Sequence, residues 1–165
     1  MPSIGAKILG VLLYMIPWAD CLTFGNHLYV KYPFTQLIQI PAIPIILIER
    51  SIPFGNLLLF LAIFIGLVRN TKVSYFLRFN ALQSLLMNIG IIIVSFIFEI
   101  IFSPFSNSLI IRTFSSSLLI GLLLMMIYSV WSCIKGNEPN LPGISQAAKM
   151  PVSYTHLTLP TIYSV

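Results

Sequence analysis

Few side chains in this sequence can do chemistry, so each can be weighed singly. Cys21 and Cys133 are the two cysteines, and their separation fits neither a C-x-x-C redox pair nor the spacing of zinc ligands. They read as buried packing thiols. The two histidines, His27 and His156, have no carboxylate or thiol partner at helical spacing. Metal chemistry and a nucleophile–base–acid triad therefore lack their parts, and no catalytic residue or cofactor is implied. Asp20 and Glu99 remain as lone acids within apolar stretches, and an acid at membrane depth is a functional candidate by default. Each also has a plainer reading. Glu99 stands close enough to the end of its stretch to reach headgroups, and Asp20 sits beside Trp18, a residue type that anchors at the membrane interface.

The richest polar pattern is RFNALQSLLMNIGIIIVSFIFEIIF, from Arg78 to Phe102. At helical spacing Asn80, Ser84, Asn88, Ser95 and Glu99 share an arc of about 100°, with Gln83 just beside it. Amides and a carboxylate on a spanning helix must face protein or water. Two readings fit: hydrogen bonding that holds helices together, and one wall of a hydrated path. A weaker stripe in the last apolar stretch, Ser117, Gly121, Met125, Tyr128 and Ser132, reads as a packing face, with Ser117 and Gly121 as a small-xxx-small pair.

The elements that must carry these residues are membrane helices. Of the 165 residues, 58% are hydrophobic and 8% charged, with a mean hydropathy of +0.96. A soluble domain carries about 25% charged residues, so this chain cannot cover itself with polar groups. The expected class is all-α and polytopic, with about four spans at 34–48, 52–68, 81–102 and 114–134. Ser51 is the expected N-cap of the second span. The 8–24 stretch has too few apolar residues before Pro17 to cross, and predicts an interfacial or half-inserted helix. Residues 1–150 form one integral membrane domain. Residues 151–165, PVSYTHLTLPTIYSV, carry no charge and read as a non-native, adapter-like tail.

Nine Lys or Arg stand against four Asp or Glu, but the basic residues are single and interrupted, which excludes a nucleic-acid surface. They report topology instead. With four spans, Lys7, Lys31, Arg69, Lys72, Arg78, Lys135 and Lys149 fall on one side, and Arg50 and Arg112 on the other. Both termini are thus expected on the positive, stromal or cytoplasmic side.

The segments Pro17 to Gly25, Ser51-Ile52-Pro53-Phe54, Arg69-Asn70, Arg78-Phe79-Asn80 with Gln83, and Pro142-Gly143-Ile144-Ser145 together resemble the Tic-twenty family, over residues 8 to 150. One departure is Asn88, where that family's pattern suggests an acid. The resemblance implies a four-span subunit of the translocon of the plastid inner envelope, or a cyanobacterial counterpart. It also implies a place in the path for precursor proteins, and other translocon subunits as partners. Four spans leave little room for a pore within one copy, so a path needs another copy or other subunits. Two other classes compete. A small-solute permease would use the polar stripe as a binding wall but lacks paired ionisable groups at the midplane and matching broken helices. A membrane-embedded enzyme lacks a nucleophile–base pair or metal trio.

Overall fold

The computed structural model describes residues 2–102 and 108–153. His156 and the greater part of the adapter-like tail lie outside the described residues. Among those described, the chain is helical throughout, with no strand.

The first helical run opens with α1 (Ile4–Leu13), whose first turn is capped by Ser3 Oγ accepting from the Ala6 amide at 3.2 Å. It continues through α2 (Met15–Cys21), a 3₁₀ turn at Leu22–Gly25 and α3 (Asn26–Lys31). Pro17 does not end the run, because it falls in the first turn of α2, where its missing N–H is tolerated. Ile4 to Lys31 is therefore one 28-residue stretch, long and apolar enough to cross a membrane. The 8–24 segment, expected at the interface, lies within it and packs against the long helices of the bundle.

The segments expected as separate spans at 34–48 and 52–68 are two halves of one bent pair. A 3₁₀ stretch, Pro33–Ala42, leads into α4 (Ile43–Ser51), and α5 (Gly55–Ile63) ends in a π-helical turn, Phe64–Val68. The halves meet at 110°. The break has a local cause. Pro53 disfavours helical backbone at the residue before it, and Ile52 is extended (φ −126°, ψ 133°). Phe54 then turns through the left-handed region at φ 58°, and α5 starts at Gly55. Ser51 is accordingly not the cap of a second helix but the last residue of α4, its hydroxyl donating to Leu47 O at 2.6 Å.

Two long helices complete the bundle, α6 (Tyr75–Phe102) and α7 (Leu109–Lys135), which contain the spans expected at 81–102 and 114–134. A short α8 (Ile144–Ser153) packs against α6. The described helices thus offer three runs fit to cross, or four with the bent pair.

Contacts fix the direction of each run. At one end, here the near end, Gly136 at the close of α7 adjoins Lys7, and a Cβ on Gly10 would meet Cys133 Sγ at 2.4 Å and the Phe76 ring at 3.7 Å. At the far end Ser115 Oγ donates to Phe24 O at 2.7 Å. The first run and α6 are therefore parallel, and α7 is antiparallel to both. The bent pair must carry the chain back from the far end to the near end. It closes there at Val68, whose carbonyl accepts from the buried Arg78 Nε at 3.1 Å. It is a broken span, not a loop that returns to the end it left.

Both described ends of the chain consequently lie at the near end, since α8 inserts Ala148 among Leu13, Val68 and Leu77. Lys7, Arg69, Lys72, Arg78, Lys135 and Lys149 gather there. Lys31 joins Arg112 at the far end, a change from the sequence expectation, and Arg50 stands at the break.

Candidate functional site: a polar line and an open cleft

The polar stripe of α6 divides into two parts. Asn80, Gln83, Ser84 and Asn88 are buried, whereas Ser95 is half-buried and Glu99 exposed. Within the buried part, Asn80 and Asn88 bond across to other helices. Asn80 Oδ1 accepts from Tyr14 OH at 3.0 Å while its amide donates to Phe76 O at 2.8 Å. Ser84 Oγ donates back to Ala81 O at 3.0 Å. Gln83 is wholly buried, and neither its Nε2 nor its Oε1 has a hydrogen-bond partner.

The central feature is Asp20. Its carboxylate accepts from the side-chain amide of Asn88 and, at 3.3 Å, from that of Asn56. One acid thus joins α2, α5 and α6, and it does so about 20 Å from the start of α6, near mid-depth. The sequence offered no cation to pair with Asp20, and two amides from distant segments take that place. Asn56, immediately before the run Leu57–Leu61, is not among the residues singled out from sequence, although a lone amide next to so apolar a run is the signal that marks it.

Two clefts flank this junction. One, of about 500 Å³, runs from Asp20 and Asn56 past Ser95 to Glu99, His27 and Ser115. Asp20 and Glu99, the two acids singled out by sequence, thus line one space, as does His27, read from sequence as having no partner. The second, of about 600 Å³, lies behind the break and is lined by Glu49, Arg50, Phe54, Asn56 and Asn88. Glu49 Oε1 is buried there without a hydrogen-bond partner. Ionisable groups therefore do gather at mid-depth beside a broken helix, which the sequence reading had found lacking.

The first cleft is open for an architectural reason. The buried residues of α6 run from Phe76 to Ile91, and none follows as far as Phe102. Beside this outer part of α6 the broken span supplies no second helix, because α5 begins only at the depth of Asp20.

The remaining motif residues serve turns at the near end. The amide of Arg69 donates to Phe64 O at 3.0 Å, closing the π turn, and Asn70 Oδ1 accepts from the Lys72 amide at 3.0 Å. Phe79 is fully buried. Pro142 and Ile144 flank Gly143, whose φ of +78° suits glycine, and Ser145 Oγ accepts from the Leu141 amide at 2.7 Å and donates to Pro139 O at 2.9 Å. The face expected on α7 is met in part: Ser132 is buried and Met125 packs on the core, whereas Ser117, Gly121 and Tyr128 are exposed, Gly121 has open space beside it, and Ser115, Leu119, Met126 and Ser129 are buried. Close approach occurs at Gly10 against Cys133.

The family profile described as "Chloroplast import apparatus Tic20-like" matches residues 2–148. A Tic20 family protein of Synechocystis sp. is 29% identical over 149 residues, which cover 90% of this chain and 93% of that protein. The chloroplastic protein TIC 20-v of Arabidopsis thaliana is 30% identical over 150 residues, 88% of this chain and 70% of its own length. A Tic20 family protein Ycf60 of Porphyra purpurea is 26% identical over 153 residues, 89% of this chain and 75% of that one. With the match extending through every helix of the bundle to the start of α8, this integral membrane protein belongs to the Tic20 family.

Proposed function

We infer that the chain is a subunit of the protein-import translocon of the plastid inner envelope, or of its cyanobacterial counterpart, and that it borders the path taken by precursor proteins. Family membership over nearly the whole chain supports the import role. The observation that carries the path is the uncovered outer part of α6, where Ser95 and Glu99 face an open cleft instead of a neighbouring helix. One copy encloses no channel along this cleft, so a second copy or another subunit completes the wall. No catalytic step is assigned. The six basic residues at the near end orient it, with both termini, toward the stroma or cytoplasm, and turn the cleft toward the opposite face.

Single-cysteine variants at positions 84, 88, 95 and 99, probed with a water-soluble thiol reagent in the assembled complex, test the path. Positions 95 and 99 react freely until a precursor is arrested in transit and are then shielded, while 84 and 88 stay unreactive throughout. Labelling at 95 and 99 that ignores the arrested precursor removes the path role. The broken span with acids at mid-depth favours one other reading, a small-solute permease. Against it stands the lack, among the described residues, of a second broken span in a corresponding position. Stabilisation of the purified protein by a small solute, without precursor crosslinks, would reverse the preference.

A further inference from the structure

Resting on the import reading, we propose that the cleft between Asp20 and Glu99 receives basic side chains of the segment in transit. Three observations within the cleft converge on a cationic occupant. Two carboxylates line the cleft about 16 Å apart along α6, taking Asn88 as the level of Asp20. No Lys or Arg is among the described residues that line it. Phe24, Phe96, Phe98 and Phe102 stand among its other lining residues, beside the neutral polar Thr23, Asn26 and Asn56 and the imidazole of His27, and offer aromatic and apolar surface to a cation and to the stem that carries it. Beyond Asn56, which lines both clefts, the second cleft holds Glu49, one of whose carboxylate oxygens is buried without a donor, together with Arg50.

The shape suits an arginine or lysine entering from the far end. The open length equals several residues of extended chain, and Ser95 and Ser115 supply neutral hydrogen-bond partners along it. The chemistry of the cargo matches. Plastid transit segments are amphipathic, rich in Arg and Ser and poor in acids. Such a segment carries a cation that is costly at membrane depth, and a carboxylate-lined cleft lowers that cost. The near end, with its six basic residues, repels the same cations, so the acidic cleft is the stretch of the path that holds them.

The test uses the full chain in lipid nanodiscs, where both faces are accessible, and two photoactivatable amphipathic peptides. One carries arginines, and its twin has neutral citrulline at each of those positions. The arginine peptide is expected to label residues 92–99 about tenfold more than its twin, and Glu99→Gln to remove most of that difference. Glu99→Asp is expected to retain it. Glu99 is exposed, so the variants fold, and an unchanged unfolding midpoint verifies this. Equal labelling by the two peptides, or labelling that Glu99→Gln leaves unchanged, overturns charge recognition while the import reading stands. Labelling mapped outside the cleft overturns the site. If neither the peptides nor an arrested precursor in the whole complex crosslinks to the chain, the import reading falls as well.

Discussion

At the scale of single residues, the bundle places its polar groups unevenly. Asp20 is held by two amides, and losing the nearer one leaves a carboxylate at mid-depth with only the 3.3 Å bond from Asn56. Asn88→Leu should therefore lower stability by about 2 kcal/mol in detergent unfolding. Adding Asp20→Asn to that variant should recover much of the loss, because the stranded charge is gone. Gln83 is the opposite case. Both its side-chain atoms are buried without partners, so Gln83→Met, of similar volume, should raise stability by about 1 kcal/mol in the same assay. A fall instead would show that the amide finds a hydrogen-bond partner within the bundle that methionine cannot replace. The departure at Asn88, noted from sequence, also gains a physical reading. An acid there would face Asp20, whereas the amide donates to it.

At the scale of elements, the break between α4 and α5 concentrates backbone strain. Phe54 occupies the left-handed region, which disfavours a bulky side chain by about 1–2 kcal/mol, and a Cβ on Gly55 would meet Glu49 O at 2.4 Å. Phe54→Asn should stabilise the protein by about 0.5–1 kcal/mol, while Gly55→Ala should cost about 1–3 kcal/mol, both read as shifts in thermal unfolding. This break also marks where sequence reading lost its hold. The α6 and α7 spans were legible because each is an unbroken apolar run longer than a bilayer needs. The halves around the break are apolar enough to imitate two spans, and only the geometry at Ile52, Pro53 and Phe54 shows them to be one. Pro17 misled in the other direction, since its position in the first turn of α2 depends on the turn at Tyr14, which has no sequence signature. For the site, helical spacing brought out the α6 stripe. The partners of Asp20 lie 36 and 68 residues away in the chain, beyond the reach of any local pattern.

At the scale of the whole molecule, the parallel course of the first run and α6 puts both described chain ends together. Cysteines placed at Lys7 and Lys149 should react with an impermeant reagent from the same face of sealed vesicles, and one at Lys31 from the opposite face. Reaction of the first two from different faces would overturn the broken-span arrangement. That arrangement has a further consequence during synthesis. Each half of the broken span is short, and the acid and base at Glu49 and Arg50 oppose its entry into lipid. Asp20 waits for Asn56 and then for Asn88, which leaves the ribosome only after the broken span has been completed. Membrane insertion is therefore expected not to proceed strictly from the N-terminus onward. The 33–68 segment is expected to settle late, once α6 has emerged: cysteines placed in it should react with a water-soluble reagent in a chain truncated at Val68 and be shielded in one that runs through α6.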